Sequence, residues 1–416
     1  MNSSFFIARK IIESGRSSNK NSQTIIKFAV IGTILSTTIM ILTIFISYGF
    51  KSNILDKVRH FDSDIHIINY DANQSYDLSP IKLKPSQTEQ ILKLKSVSSL
   101  SGFITKPSIL KFNSNIEGIV LKSYQKEENY SYIKSNIVKG KFPNFDRREI
   151  LISEDLSKQL QLDTGQSVIL YFIQEPIRYR KLKVSGIYKT AIYEFDHIFA
   201  FVDFKLLQKI NAWDSSQVSG FEIKLIDNCI SNEQSQKKIE TIIRPNYFET
   251  NRNTSAPLLK TLGIKQRFEQ FYFWFDLFDT NVLVIISLMI AVAAINLISA
   301  LLIVIIENMS TIGLLKSFGY DNKSIRKIFL YFSAYLTLKG IFWGNIIALI
   351  VAYIQSIFHI LPLDAKYYYI SYVPIGFDWT GLLILNTTSI ILIISILLIP
   401  TYYISNISPI KVIRFN

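Results

Sequence analysis

The stretch Asn281–Ile306 reads NVLVIISLMIAVAAINLISALLIVII and contains no charged residue over 26 positions. A helix rises about 1.5 Å per residue, so this length can cross a hydrocarbon core about 30 Å thick. Two further charge-free stretches are long enough, Phe28–Phe50 and Trp379–Ile404, and Ile328–Ile357 is interrupted only by Lys339. The sequence therefore predicts a membrane protein with four transmembrane helices.

The composition is uneven along the 416 residues, of which 49% are hydrophobic. Apolar residues concentrate at the two ends, and the segment Lys51–Asp279 has an ordinary soluble composition with 32 basic and 27 acidic residues. Most of the net charge of +13 therefore lies beside apolar segments, which suits anionic lipid headgroups and does not indicate nucleic-acid binding. We predict a large extracytoplasmic domain between the first and second spans, a 1+3 arrangement.

The distribution of basic residues predicts the orientation by the positive-inside rule. The residues before the first span, the loop 307–327 and the C-terminal tail are rich in Lys and Arg, whereas the loop 358–378 carries only Lys366 against two acidic residues. Both termini are thus predicted in the cytoplasm. The first apolar stretch exceeds the usual length of a signal-peptide core, which favours an uncleaved anchor. The predicted segments are cytoplasmic 1–27, span 28–50, extracytoplasmic 51–279, span 281–306, cytoplasmic 307–327, span 328–357, outer 358–378, span 379–404 and cytoplasmic 405–416.

The extracytoplasmic segment reads as mixed α+β. Capping-box patterns that begin at Ser86 and Ser231 predict helices near 87–95 and 232–243. Runs of β-branched and aromatic residues predict strands, and a strand, helix, turn and strand follow one another from 148 to 170. The loops are predicted at 129–148 and 250–257. The predicted strands are Ile65–Tyr70, Val168–Phe172, Leu182–Tyr188, Ile198–Val202 and Phe221–Leu225.

No motif for chemistry is found in the sequence. The one Gly-Lys pair, Gly140-Lys141, is followed by Phe142, so it does not form a phosphate-binding loop. Cys229 has no second cysteine to pair with, and the four histidines lack metal-ligand spacing. The acidic pair beside His197 is interpreted as a polar turn. We predict no catalytic residue, no metal and no cofactor.

The segment Glu307–Asp321 lies between the second and third spans and reads as a short helix that ends at Gly319. Ile312, Leu315 and Phe318 recur every three residues. An apolar stripe outside the membrane requires a partner, either a groove in another protein or the membrane surface and the end of the bundle. These two alternatives are equally compatible with the residues alone.

Two features stand out in the third span. Lys339 lies either in the bundle interior, where a charge is costly, or at the cytoplasmic interface, if the span begins after it. The charge-free window Gly340–Leu363 favours the interface. Gly340 and Gly344 form a Gly-x-x-x-Gly pair, which allows close helix packing.

The 1+3 arrangement, the large outer domain and the stretch Glu307–Gly319 together resemble the FtsX-like permeases of ABC transporters. The most specific element reads IGLLKSFG over Ile312–Gly319 and precedes the basic segment IRKIFL at Ile325–Leu330. The closing ISPIKVIR at Ile407–Arg414 resembles the C-terminal motif of the family, and Glu149–Leu170 resembles part of the MacB-like periplasmic core domain. Within the family, the chain looks most like the lipoprotein-releasing transmembrane subunits. At Glu307-Asn-Met-Ser the chain departs from the pattern of the family, many members of which carry more charges there.

The resemblance implies that the chain is not itself an enzyme. Two permease subunits, either two copies or a copy and a paralogue, would pair with two copies of a cytoplasmic ABC ATPase. ATP-driven motion would extract a lipoprotein from the outer leaflet, and cargo contacts are expected near Phe45–Phe50 and Phe271–Phe278. The ATPase-coupling residues implied by the resemblance are Glu307, Ile312, Gly313, Leu314, Leu315, Lys316, Phe318 and Gly319.

Two alternatives stay open at this stage. A transmembrane transmitter that activates a periplasmic cell-wall hydrolase would share the same architecture, although the outer domain of roughly 220 residues favours an exporter. A sensor without an ATPase would tolerate a charge at Leu315. The sequence names neither the cargo nor the second permease.

Overall fold

The structure, a computed structural model, describes residues 6–7, 20–70, 75–190, 192–226, 232–244, 258–364, 368 and 370–404. The chain forms two compact units. The helical unit comprises Met1–Ser52, Trp274–Leu363 and Tyr372–Asn416, and the sheet unit comprises Asn53–Phe273 and Asp364–Ser371.

The described residues contain the helices and strands that follow, together with two short 3-10 helices at Glu127–Tyr130 and Phe145–Arg147. The helices are α1 Lys20–Asp62, α2 Pro85–Leu92, α3 Ser131–Ser135, α4 Glu154–Leu160, α5 Tyr193–Asp196, α6 Phe204–Asn211, α7 Asn232–Ile243, α8 Ile264–Arg267, α9 Glu269–Glu307, α10 Met309–Ser317, α11 Asn322–Phe358 and α12 Trp379–Ile404. The strands are β1 Ile65–Asn69, β2 Val97–Phe112, β3 Asn115–Tyr124, β4 Ile137–Gly140, β5 Glu149–Ser153, β6 Ser167–Phe172, β7 Arg178–Tyr188, β8 Phe199–Phe201, β9 Gly220–Leu225 and β10 Leu259–Gly263.

Four helices among the described residues, α1, α9, α11 and α12, are long and apolar enough to cross a membrane. The four predicted spans lie within them. At 39 residues, α9 is about 58 Å long, well beyond the thickness of a hydrocarbon core. Buried side chains from all four helices form one apolar core, which includes Phe45, Leu297, Phe329 and Leu397.

Ten strands form the mixed sheet of the sheet unit, in the order β10-β1-β9-β2-β3-β8-β5-β7-β4, with β6 paired to β2 and β7. The pairs β3–β8 and β5–β7 are parallel, and the other pairs are antiparallel. Strand β1 lies between β9 and β10, so Ile65 faces Ile223 on one side and Gly263 on the other. Two apolar clusters cover the sheet, one around β5 to β7 and one around β1 and β9.

Most of the predicted elements of the sheet unit match within a few residues. The strand, helix, turn and strand expected from 148 to 170 correspond to β5, α4 and β6, and Gly165 has a φ of +91° in the turn. Helix α7 matches the predicted 232–243. Helix α2 begins at Pro85, two residues earlier than predicted. At its start the side chain of Gln87 accepts a hydrogen bond from the Lys84 N–H, so the predicted capping box at Ser86 is replaced by this contact.

Two expectations for the sheet unit are wrong or incomplete. The region 129–148 is not a loop, because it contains α3 and β4, and β4 pairs with β7. The longest hairpin, β2–β3, was not predicted. Its strands carry buried Ser, Thr and Lys side chains that interrupt the apolar pattern. The predicted loop at 250–257, Cys229 and the C-terminal ISPIKVIR lie outside the described residues.

Candidate functional site

Helix α10 connects α9 to α11 and carries the residues predicted for coupling. The helix ends in a Schellman motif: Tyr320 N donates to Leu315 O at 3.0 Å, and Gly319 N donates to Lys316 O at 3.0 Å. Gly319 has a φ of +85°, a conformation that a residue without a side chain adopts without strain. The motif terminates α10 sharply, and Asp321 then caps α11 by accepting from Ser324 N.

The apolar side chains of α10 face two different ways, which corrects the predicted stripe. Ile312 is only 3% exposed and belongs to the bundle core together with Ile325 and Phe329. Leu314 and Phe318 are 61% and 80% exposed. A helix of nine residues needs a buried anchor on its own protein, and Ile312 is that anchor. The surface open to a partner therefore consists of Leu314 and Phe318, and we name it the α10 face.

The remaining predicted coupling residues surround this face. Gly313 is buried beside Ile312, whereas Glu307 is exposed at the end of α9. Leu315 and Lys316 are half-buried. Basic residues continue into the first turns of α11, where the Arg326 guanidinium lies 4.5 Å from the centre of the Tyr402 ring of α12.

Helices α1 and α11 pack closely at the two glycines of the Gly-x-x-x-Gly pair. A Cβ placed on Gly340 would lie 2.6 Å from Thr33 Cγ2, and one on Gly344 would lie 2.7 Å from Thr37 Cβ. The Thr38 hydroxyl also donates to Gly344 O at 3.2 Å. No larger side chain fits between these helices without moving them apart.

Lys339 is exposed on α11, next to the buried Gly340. It therefore points away from the core of its own helical unit. An exposed lysine on a membrane helix can extend its aliphatic chain towards the interface, which is the arrangement that the charge-free window favours.

A cavity of about 410 Å³ lies in the helical unit between α1, α9 and α12. Its walls are mainly apolar, with Ile44, Ile286 and Ile384 among the lining side chains. Lys51 and Asp279 form an ion pair on its wall. Of the two regions expected to contact cargo, Phe45–Phe50 borders this cavity through Ser47 and Tyr48, whereas α9 contributes residues from Asp279 onwards and none of Phe271–Phe278.

The sheet unit contains a buried network of charges that sequence reasoning missed. Lys122 Nζ lies 2.6 Å from Asp62 Oδ1 and 2.8 Å from Glu222 Oε1. Arg267 Nε donates to Asp62 Oδ2 at 3.1 Å, and its NH2 group donates to the carbonyls of Asp62 and Ser63. These residues come from the end of α1, from β3 and β9 and from α8, so the network ties four elements together. The one signal in the sequence is the lysine within the apolar strand GIVLKSY.

The pKa values in this network result from two opposing effects, burial and the charges of neighbouring groups. Burial alone would lower the pKa of the Lys122 ammonium, but Asp62 and Glu222 outweigh it and raise that pKa well above its ordinary value. Burial opposes the charge of Glu222, yet Lys122 lowers the pKa of this carboxyl. Burial, followed by the charge of Arg267, lowers the pKa of His66, so the imidazole is neutral near pH 7.

The oxygen and nitrogen atoms of Asp62, His66 and Glu222 lie within 4.8 Å of one another, as the ligands of a metal ion would. His66 Nε2 lies 3.0 Å from the backbone carbonyl oxygen of Asp62, which can only accept, so this nitrogen carries the hydrogen. Lys122 lies between the two carboxylates at hydrogen-bond distance. The carboxylates of Asp62 and Glu222 are thus arranged around the Lys122 ammonium group, which occupies the position that a divalent cation would occupy.

The acidic residues beside His197 have a structural role. Asp196 is buried and accepts hydrogen bonds from Thr190 N at 3.0 Å and from the Thr190 hydroxyl at 2.8 Å. His197 Nδ1 lies 2.9 Å from Asp155 on α4. These contacts hold the short helix α5 between β7 and β8.

Comparisons with known proteins identify the family of this architecture. The family model described as MacB-like periplasmic core domain matches residues 28–242, and the model described as FtsX-like permease C-terminal matches residues 283–409. The chain is 24% identical over 405 residues to the lipoprotein-releasing system transmembrane protein LolC of Buchnera aphidicola subsp. Schizaphis graminum, covering 94% of this chain and 93% of that protein.

One further relative and one solved structure are also similar to this chain. The chain is 19% identical to the lipoprotein-releasing system transmembrane protein LolE of Haemophilus influenzae, with 99% of each chain covered. The solved periplasmic region of MacB from Actinobacillus actinomycetemcomitans aligns with 52% of this chain and 98% of that chain, at 15% identity and a TM-score of 0.34.

Proposed function

This chain belongs to the FtsX-like ABC transporter permeases with a MacB-like periplasmic core domain, and on that premise we propose that it extracts lipoproteins from the outer leaflet of the bacterial inner membrane. In this proposal it is a permease subunit of the complex and hydrolyses no ATP itself. Two copies of a cytoplasmic ABC ATPase supply the energy. A second permease, identical or paralogous, completes the complex.

The observation that carries the proposal is the α10 face. Leu314 and Phe318 present large apolar side chains at 61% and 80% exposure on a helix outside the predicted spans. Lys316, Lys323 and Lys327 lie on the same connecting region, which the positive-inside rule places in the cytoplasm. An apolar pair of this kind is suited to a groove on an ATPase.

Motion at α10 would be transmitted through the helical unit by packing. Ile312 anchors α10 in the same core as Phe329 of α11, so the two helices move together. The contact of Gly340 with Thr33 then couples α11 to α1 without a compressible side chain between them. Closure of the ATPase dimer on ATP would bias this bundle between two arrangements.

The cavity between α1, α9 and α12 supplies a place for an acyl chain of the cargo. Its volume of about 410 Å³ is within the range of small-ligand pockets, and its walls are apolar. Moving an acyl chain out of a membrane costs about 0.8 kcal/mol per CH₂, which explains a requirement for ATP. In the proposed topology, residues 51–279 face the periplasm and both termini face the cytoplasm.

Purification of the tagged chain in mild detergent tests the proposal, with identification of co-purifying proteins and an ATPase assay. The variant Leu314→Glu/Phe318→Glu should lose the ATPase while inserting normally, because it places two charges on the docking face. Leu314→Met/Phe318→Leu changes the same two positions, keeps both side chains apolar and should keep the ATPase.

The same experiment separates the alternatives. A co-purifying lipoprotein whose release requires ATP supports the exporter. A co-purifying cell-wall hydrolase with no lipoprotein supports the transmitter instead. Recovery of the chain alone, with no effect of the charges on α10, rejects the coupling role.

A further inference from the structure

A second cavity, of about 300 Å³, lies within the sheet unit beside the buried charge network of Lys122. Aromatic rings and polar side chains of the network line it together. The volume is at the lower end of the range for small-molecule sites and corresponds to about ten water molecules of the liquid, so it suits a ligand with a single ring. The aromatic side chains of the lining are Tyr76, Phe103, Phe195, Phe199 and Phe268.

The rings of this cavity are buried on the inside and open to solvent at one edge. Phe103, Phe195 and Phe199 are at most 5% exposed, whereas Tyr76 is 48% exposed. Tyr76 meets Phe199 edge to face with the ring centres 5.5 Å apart, and Phe268 meets Phe195 in the same way at 5.6 Å. Aromatic rings prefer contacts with the edges and faces of other rings. The lining therefore favours an aromatic ligand.

His66 adds a hydrogen-bond acceptor to the lining. Its side chain is only 9% exposed. Because Nε2 carries the hydrogen and lies 3.0 Å from the Asp62 carbonyl oxygen, Nδ1 is the acceptor of the neutral ring. Nδ1 has no hydrogen-bond partner among the described residues. A buried acceptor without a partner is unfavourable, and a donor on a molecule in the cavity would satisfy it.

Arg267 adds a donor next to His66. Its Nε donates to the Asp62 carboxylate, Nη1 to Leu262 O, and Nη2 to the carbonyls of Asp62 and Ser63, which uses four of the five N–H groups. The fifth has no acceptor in the part of the chain that the structure describes. His66 Nε2 and Arg267 Nη2 both lie 3.0 Å from the same Asp62 oxygen, so the two side chains are adjacent. A hydroxyl group, which both donates and accepts, matches this pair.

The charged side chains of the lining already have partners within the protein. Lys122 and Arg267 form ion pairs with Asp62, and the Lys260 ammonium lies 5.4 Å from the centre of the Tyr70 ring. A ligand in this cavity therefore needs no charge of its own to compensate the wall.

We propose that this cavity binds a phenol, with its ring among Phe103, Phe195 and Phe199 and its hydroxyl donating to His66 Nδ1. The guanidinium of Arg267 supplies the N–H that the same hydroxyl accepts. Two sources offer this chemistry, the tyrosine side chain of a polypeptide and a free phenolic molecule. The site lies entirely in the sheet unit and goes beyond the proposed export function.

The test measures the dissociation constants of two water-soluble probes on the full chain in phosphatidylcholine nanodiscs. N-acetyl-tyrosinamide and N-acetyl-phenylalaninamide differ only in the ring hydroxyl. Ligand-detected NMR with empty nanodiscs gives the background from the membrane. The tyrosine probe should bind about 3- to 10-fold more tightly, as expected for one net hydrogen bond. Equal affinity of the two probes, or no binding above the background, overturns the inference.

Variants locate the contact. His66→Phe keeps an aromatic ring and removes the acceptor, so the preference for the tyrosine probe should disappear. His60→Phe changes an exposed histidine outside the lining and should keep the full preference. If a folded His66→Phe protein keeps the preference, the hydroxyl binds elsewhere and the proposal is wrong. If this variant does not fold, the comparison of the two probes on the unaltered protein still decides.

A third probe, p-cresol, distinguishes the two sources. It has the ring and the hydroxyl of tyrosine without the peptide groups. If a polypeptide is the source, N-acetyl-tyrosinamide should bind more tightly than p-cresol, because its amide groups add contacts. If a free phenol is the source, p-cresol should bind at least as tightly. Co-purification of an ATPase does not depend on this cavity, so failure of this inference leaves the proposed function standing.

Discussion

Lys122 Nζ lies 2.6 Å from Asp62 Oδ1, and this buried contact joins the C-terminal residue of α1 to strand β3. The ammonium also lies 5.3 Å from the centre of the Phe61 ring and 5.1 Å from that of Tyr124. Because these charged groups are almost entirely buried, each depends on the others for compensation.

Lys122→Ala should strongly destabilise the sheet unit because it leaves the buried Glu222 carboxylate without its lysine partner and leaves Asp62 with Arg267 as its remaining ion-pair partner. Breaking a buried pair in this way costs about 3–5 kcal/mol, or about 6–20 °C in Tm for a domain of this size. Thermal unfolding of the purified chain, followed by tryptophan fluorescence, measures the change. Lys82→Ala removes an exposed ion pair with Asp214 and should leave Tm nearly unchanged. Equal effects of the two substitutions would contradict the argument.

The stability of the chain should fall as the pH decreases from 7 to 5, because of His66. The folded state holds this histidine neutral with a lowered pKa, whereas the unfolded state takes up a proton near pH 6.5. The stabilisation is present above pH 6.5 and is lost below it, and the lowered pKa of Glu222 adds a loss at still lower pH. Tm measured against pH should have a smaller slope in His66→Gln, while the exposed His60→Gln keeps the original slope. An unchanged slope in His66→Gln would assign the effect to other groups.

Gly340→Ala should separate α1 from α11. The new Cβ would lie 2.7 Å from Thr33 Cβ, an atom fixed to the backbone, so the helices must move. Overpacking of this kind costs about 1–3 kcal/mol. Thermal stability in detergent and ATP-driven release should both decrease. Gly118→Ala is the control, because a Cβ there meets nothing within 4 Å. Wild-type stability of Gly340→Ala would show that the close approach is not maintained in the membrane.

The amides of Asn345 and Asn386 join α11 to α12 through two reciprocal hydrogen bonds. Asn345 Nδ2 donates at 3.1 Å and Asn386 Nδ2 donates at 2.9 Å. Single changes to Leu leave the remaining amide without its partner on the other helix, whereas the double change removes both amides. A double-mutant cycle of unfolding in detergent should give a coupling energy of about 0.5–1.5 kcal/mol. Additive effects would indicate that each amide finds another partner.

The helices of this protein were predictable, and the site was only partly so. A charge-free run of 26 residues has few alternatives to a membrane span, because its length and apolarity act locally. The orientation of Ile312 was not predictable, since a three-residue repeat on a nine-residue helix does not distinguish the face that packs on its own bundle from the face that a partner covers.

The buried charge network of the sheet unit could not be predicted from the sequence either. Asp62, Lys122, Glu222 and Arg267 are separated by as many as 205 residues, and no local pattern relates them. The buried polar residues of β2 and β3 also conceal the longest hairpin from a search for alternating apolar positions. Both errors concern polar groups that become favourable only when the complete fold surrounds them.

The position of β1 in the sheet constrains the order in which the protein can be made. Both neighbours of this strand, β9 and β10, come from the far end of the sheet unit, so Ile65–Asn69 has no partner until Leu225 has been synthesised and only one until Gly263 has been synthesised. Closing such long loops is slow, and an unpaired strand is prone to aggregate. The first strand therefore stays without a partner while most of the sheet unit is being synthesised.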